Sequence, residues 1–282
     1  MLTAHLKDRP LGIQLLGCEE KFILKAVDVL KEYKFDILDF NAACPAKKVV
    51  RRGEGASLLK EPKKLYKLLK ILVKNSSLPV TVKIRTGWDK DSVNAEEVAL
   101  YAQDAGVSAL FIHGRNKAQG YSGNIDYAVI KKVKKFLDIP VIGSGDILSA
   151  QLAKEMFDKT GCDGLAIARG SLGNPWIFDE INEFLKTGRL LPKPVIGAVV
   201  KEMTKHLDAS IGFYGERNGV ILFRKFFSWY TKGLRKIRPL REKSSRAKNR
   251  QEILGIILGT LPKGALSEHF QQKSPETSGV FL

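Results

Sequence analysis

Cys44 is the side chain that its neighbours best equip for chemistry. It lies in Asn41-Ala42-Ala43-Cys44-Pro45, directly after an apolar run, and Pro45 ends regular structure there. A basic loop follows, with Lys47, Lys48, Arg51 and Arg52. Nearby cations favour the thiolate form, and such a thiol serves as a nucleophile or a proton donor. Cys18 and Cys162 sit beside ordinary core or turn residues and read as inert. Lys83 lies inside the apolar stretch Val80–Ile84, where an ammonium group is costly unless it meets an anion, a carboxylate or an electron-rich ring. Gln14 could hydrogen-bond the edge of a heterocycle or be a satisfied core amide. His113 could donate to a ligand carbonyl or phosphate or be structural. Gly143-Ser144-Gly145-Asp146 and Ala168-Arg169-Gly170 each follow a strand-like run and precede a helix start. Glycines let a ligand approach the backbone, and helix N-terminal N–H groups bind anions. Two such segments in consecutive units point to a phosphate-bearing cofactor.

The elements that must position these residues alternate. Strands are expected at Leu11–Leu16, Asp36–Asn41, Pro79–Arg85, Val107–His113, Ile139–Gly143 and Gly164–Ala168, each read as a continuous apolar run. Helices are expected at Glu19–Tyr33, Pro62–Lys74, Asn94–Ala105, Ile125–Leu137 and Ser149–Thr160. This order implies parallel strands covered by helices, either an open doubly wound sheet or a (β/α)8 TIM-type barrel. Nearly every strand ends in a polar, ligand-like group, and a barrel gathers all of its strand ends on one rim. The barrel is therefore expected, with only six βα units visible in a chain that reads as shortened at its N-terminus.

After Trp176 the strand pattern stops. Lys186–Pro194 reads as a linker, and helical patterns follow at Ile196–Phe213, Glu216–Leu234 and Ser245–Leu258. The expected division is a barrel portion over residues 1–187, a basic helical domain over 195–262 and a disordered tail over 263–282. Residues 214–250 hold 12 Lys+Arg against 2 Asp+Glu, with Phe223, Phe226, Phe227, Trp229 and Tyr230 interleaved. The whole chain of 282 residues carries 47 Lys+Arg against 30 Asp+Glu, a net charge of +17. That charge favours a polyanionic partner. No apolar stretch approaches the ~20 residues of a membrane span. No secretory signal is visible, and three widely spaced cysteines fit a reducing cytoplasm. Neither CxxC nor HxxxH occurs, so no metal site is expected, and neither a P-loop nor a GxGxxG motif is present.

Six blocks, in order, resemble the tRNA-dihydrouridine synthases. They are Gly12-Ile13-Gln14-Leu15-Leu16-Gly17, Asp39-Phe40-Asn41-Ala42-Ala43-Cys44-Pro45 and Val82-Lys83-Ile84-Arg85-Thr86-Gly87-Trp88. His113-Gly114-Arg115, Ile142-Gly143-Ser144-Gly145-Asp146-Ile147 and Arg169-Gly170-Ser171-Leu172-Gly173-Asn174-Pro175-Trp176 complete the set. Tyr214-Gly215-Glu216 and the stretch from Arg224-Lys225 to Tyr230 extend the likeness to about residue 250.

The resemblance implies an FMN-bearing barrel followed by a helical RNA-binding domain. The implied activity is reduction of the uracil C5–C6 double bond in tRNA, with NADPH regenerating the reduced flavin. By position, Cys44 would protonate C5 while flavin N5 delivers hydride to C6. Gln14 and Lys83 would contact the flavin, and His113 its ring or phosphate end. Ser144, Gly145, Asp146, Ala168 and Arg169 would hold the phosphate and ribityl chain. Asn41 would help place the uracil. Arg115 and the loop residues Lys47, Lys48, Arg51 and Arg52 would contact the tRNA backbone, with Arg224 and Lys225 adding contacts from the helical region. A monomer is the favoured state. The chain departs from the family at Ala43, where Gly is usual, at Ser144, where Asn is frequent, and at Asn116-Lys117, where Thr-Arg is frequent. Family members also carry two strands before the one bearing Gln14, the first with a flavin loop. The alternatives are an RNA-binding protein whose shortened barrel holds no flavin, a flavin oxidoreductase acting on a free pyrimidine, and an aldolase using Lys83 as Schiff base.

Overall fold

The computed structural model describes residues 8–262; the expected tail at 263–282 lies outside the described residues. Strands and helices alternate from the start. The first part runs β1 Gly12–Leu15, α1 Glu20–Leu30, β2 Ile37–Asn41, α2 Lys47–Val50, a 3-10 turn at Gly55–Lys60, α3 Pro62–Asn75 and β3 Val80–Arg85. It continues with α4 Ala95–Asp104, β4 Ala109–His113, α5 Tyr127–Phe136, β5 Val141–Ser144, α6 Ala150–Thr160 and β6 Gly164–Ala166. Only helices follow: α7 Ile177–Thr187, α8 Ile196–Tyr214, α9 Glu216–Tyr230, α10 Arg238–Arg246 and α11 Arg250–Leu258.

The six strands pair in parallel in the order β1-β2-β3-β4-β5-β6. A doubly wound sheet reverses its strand order part-way. This one never does, so each crossover repeats the same step and places its helix on the same face. That is the winding of a TIM-type α/β fold, as the sequence predicts. Among the described residues β1 and β6 are the two edges of the sheet.

The two faces differ sharply. Leu38, Phe40, Val80, Val82, Ile84, Leu110, Ile112 and Val141 join one buried cluster with Ile23 and Val27 of α1, Leu65, Leu68, Leu69 and Leu72 of α3, and Val98 of α4. Successive strand side chains point to opposite faces. Gln14, Asp39, Asn41, Thr81, Lys83, Arg85, His113 and Ser144 therefore share the face turned away from the helices. The continuous apolar reading of the strands is corrected on this point. In Val80–Arg85 the apolar and polar residues alternate strictly, as two unlike faces require.

The chain divides into two compact units at Arg169/Gly170. The second unit has its own core of Val200, Met203, Leu207, Val220, Phe223, Phe227, Ile253 and Ile257. Its basic stretch is built differently from the expected single helix over Ser245–Leu258. The chain leaves the helical conformation at Ala247, and α11 restarts behind Asn249. Asn249 Oδ1 accepts from the Glu252 N–H at 2.9 Å, while Glu252 reaches back to the Lys248 N–H at 2.8 Å. This reciprocal cap satisfies donors that an uninterrupted helix would not leave free. No helix of the described residues is long and apolar enough to cross a membrane. Asn249→Ala is expected to cost the helical unit about 1 kcal/mol, read as a lowered denaturant midpoint at unchanged slope.

Candidate active site

The polar face is wired together from β1 to β5. Gln14, Asp39 and Thr81 lie side by side in register. Thr81 Oγ1 donates to Asp39 Oδ1 at 2.7 Å, and Gln14 Nε2 donates to Asp39 Oδ2 at 2.6 Å. Asn41 Nδ2 then donates to Gln14 Oε1 at 2.7 Å. Asn41 Oδ1 accepts from the Ala43 and Cys44 N–H groups at 3.0 and 2.9 Å. The thiol loop is thus fastened to the sheet through one side-chain amide. Asn41 Oδ1 thus accepts two bonds, and among the described residues Nδ2 donates one of its two hydrogens.

Arg85 fastens the same loop from the other side. It is 2% exposed. Its Nε donates to the Ala43 carbonyl at 2.7 Å, and its Nη1 to the carbonyls of Asn116 and Gly120 at 3.0 and 2.8 Å. Gly55 closes the underside. Its φ is +59°, and a Cβ there would stand 2.8 Å from the Cys44 carbonyl oxygen and 3.0 Å from Cys44 Cβ. Ala43 is not among the residues with positive φ, so its methyl group takes the usual glycine position without backbone strain.

The far side of the mouth is cationic. Lys83 stands next to Asn41 in register and donates to Ser144 Oγ at 3.2 Å. Burial pushes its pKa below the ordinary lysine value, Arg85 adds to that, and Asp39 opposes it. His113, paired in register with both Arg85 and Ser144, is driven down to about 3 by burial and then by Arg85, Lys83 and Arg115. It is neutral at pH 7. Asp146 receives both Arg115 and Arg169, and its carboxyl is held below the usual range chiefly by the Arg115 hydrogen bond. Tyr121 stands over this group, with its ring 5.6 Å from the Arg85 guanidinium, 5.4 Å from that of Arg169 and 6.3 Å from the His113 ring.

Of the residues singled out in the sequence, Gln14, Asn41, Cys44, Lys83, His113, Ser144, Gly145, Asp146 and Arg169 therefore meet on one face of the first unit. Ala168 adjoins Arg169 in the chain. Lys47, Lys48 and Arg51 are exposed beside the thiol loop and make no ion pair among the described residues, whereas Arg52 is tied to Glu54 at 2.7 Å. Arg115 does not face outward as a backbone contact would. It is 2% exposed, and bonds Gly123 O and Asp146. Arg224, in the second unit, spends its guanidinium on the Ala247 carbonyl at 3.0 and 2.7 Å, while Lys225 is exposed beside Phe226 and Trp229. Sequence reasoning placed Arg85 among the polar strand ends without giving it a role, and did not select Tyr121. The position of Arg85 two residues after Lys83, on the same strand face, was the available signal; Tyr121 had none.

A phosphate-bearing group fits these residues. Arg115 Nη1 is buried without a hydrogen-bond partner among the described residues. Gly145 has φ +129°, and a Cβ there would meet Ile125 Cδ1 at 2.3 Å and the His113 ring at 3.0 Å, so only glycine lets this turn pack against them. No group of His, Cys, Asp and Glu among the described residues could hold a metal ion.

The model of the dihydrouridine synthase (Dus) family matches residues 1–268. The chain belongs to the dihydrouridine synthase family. It is 40% identical over 223 residues to tRNA-dihydrouridine synthase B of Xanthomonas axonopodis pv. citri, covering 79% of this chain and 67% of that one. A probable tRNA-dihydrouridine synthase of Rickettsia conorii is 40% identical over 222 residues, with the same two coverages. tRNA-dihydrouridine synthase B of Pseudomonas aeruginosa is 38% identical over 240 residues, 85% of this chain and 72% of that one. The chain thus spans about two thirds of the length of the first two relatives. Dihydrouridine synthases are oxidoreductases that act on tRNA, and this chain is one of that family.

The His113 environment yields a pH prediction. An unfolded histidine takes up a proton near 6.5, whereas this one resists until about 3. Its contribution to stability is complete above pH 6.5 and is lost as pH falls toward about 3. His113→Gln is expected to flatten the acid side of a stability-against-pH curve measured by chemical denaturation. A bound anion at the same mouth should raise the His113 pKa, visible by NMR titration.

Proposed function

We propose that this chain is a tRNA-dihydrouridine synthase that uses FMN to reduce the C5–C6 double bond of uridine in tRNA, with NADPH as reductant. The observation that carries the reading is the position of the Cys44 thiol. It is anchored by Asn41 and Arg85 at the same mouth as a cationic, phosphate-fitting group, and the family and the names of the relatives supply the reaction class. FMN, when bound, supplies hydride chemistry to the pyrimidine; the protein's part is to bind, orient and protonate.

Each residue has a share in that work. Arg115, Arg169 and the Gly145 turn hold the phosphate, with Ser144 and Asp146 beside them. Lys83 and Gln14 face the ring system, and a partly desolvated ammonium next to an electron-rich heterocycle regains the charge that burial discourages. His113 is neutral, so it donates one hydrogen bond and accepts another instead of adding charge. Cys44 holds a proton for C5 of the pyrimidine. The remaining Asn41 hydrogen is available to a uracil carbonyl, and Tyr121, 62% exposed, gives an aromatic surface at the entrance. A stacked base must leave its helix to reach such a mouth. Lys47, Lys48, Arg51 and the exposed Lys225 supply sequence-independent attraction to phosphates. A cytoplasmic monomer that meets tRNA fits this reading.

Cys44→Ala is expected to retain flavin, seen in the visible absorbance of the purified protein, and to bind tRNA normally. Reduction of tRNA should fall by about 10²–10⁴, the usual contribution of a positioned acid. Wild-type turnover in that variant would remove Cys44 from its role.

A further inference from the structure

The loop after β3 carries Trp88, a partly exposed indole that two ammonium groups share. Lys60 Nζ lies 4.7 Å from its ring centroid and Lys117 Nζ 4.1 Å. The three residues come from three segments: the end of the 3-10 turn, the loop after β3 and the loop after β4. Hydrogen bonds hold these segments together. Asn94 Nδ2 donates to the Leu59 carbonyl at 2.7 Å, and the Lys117 and Ala118 N–H groups donate to the Gly87 and Trp88 carbonyls at 2.9 Å. The same segments reach the thiol loop. The 3-10 turn starts at Gly55, packed on Cys44, and Arg85 binds Ala43 and Asn116 together.

An aromatic face attracts each ammonium group, but the two repel one another. Neither lysine forms an ion pair among the described residues. Asp89, whose Oδ1 accepts from Ser92 Oγ at 2.7 Å and from the Asp91 N–H at 3.1 Å, lies within electrostatic reach of Lys60 and offsets part of its charge. Two cations thus share one ring on the rim with no ion pair to either, and Lys90, two residues after Trp88 in the chain, is exposed. A polyanion relieves that repulsion, and displaced lysines would leave an indole face on which a base stacks.

Resting on the function proposed above, we infer that Lys60, Trp88 and Lys117 form a clamp for the RNA strand beside the target uridine. The lysines take phosphate oxygens and the indole takes a neighbouring base.

The test is tRNA binding by the full chain at several salt concentrations. In Lys60→Gln/Lys117→Gln the slope of log K against log salt should become shallower by about 1–2, with affinity down roughly tenfold near physiological salt. Lys60→Arg/Lys117→Arg should keep the slope. Trp88→Ala should weaken binding at an unchanged slope. Reduction of bound flavin by NADPH without RNA should be the same in all of them, since none of the three is assigned to the cofactor. A double Gln variant with the wild-type slope and affinity overturns the clamp while leaving the function intact, provided the wild type reduces tRNA. A wild type with no salt-dependent tRNA binding overturns both.

Discussion

One buried guanidinium holds the candidate site in shape. Arg85 reaches the thiol loop through Ala43 and the loop after β4 through Asn116 and Gly120, all from the last residue of a central strand. A charge taken out of water costs several kcal/mol unless hydrogen bonds replace those it loses. Here three carbonyl oxygens and the Tyr121 ring do so. The compensation exists only when both loops are in place, so the arginine and the two loops fix one another. Asn41 completes the arrangement at the other end of the thiol loop, and Gly55 admits the close packing beneath it.

The winding of the sheet explains why so much polarity collects there. Because every crossover lays its helix on one side, that side takes the apolar residues and the other is left for side chains with different work. Gln14, Asp39, Asn41 and Thr81 satisfy each other in a chain of hydrogen bonds. Lys83, Arg85, His113, Arg115 and Arg169 are less evenly matched, with Asp146 serving two of them. Burial first, and then that imbalance, depresses His113, and Arg115 Nη1 has no hydrogen-bond partner among the described residues. A phosphate-bearing anion would answer both features, in keeping with the flavin proposed above.

Much of this was legible in the sequence. Polar residues at successive strand ends could converge only if the strands were wound in one direction, and the order of the sheet meets that requirement. The alternation in Val80–Arg85 was legible too, but valine and isoleucine dominate the eye and the stretch reads as a continuous apolar run. Arg115 illustrates what a local reading cannot reach. A loop arginine after a strand resembles a surface contact until Gly123 and Asp146, brought by folding, turn it inward. Tyr121 sits among turn residues with no periodicity, so nothing short of the fold places it over Arg85 and Arg169. The break between α10 and α11 was different. Asn249 and Glu252 stand at cap spacing inside a longer helical pattern, Ser245–Leu258.

On the function proposed above, Arg85 positions the Cys44 loop for proton delivery. Arg85→Lys keeps the positive charge but cannot span three carbonyls. With the flavin reduced beforehand, the rate at which tRNA reoxidises it reports the chemical step alone. The account predicts a rate lower by roughly a hundredfold, as a small misplacement of a reacting group produces, with flavin content and tRNA affinity retained. Reoxidation at the wild-type rate would contradict it.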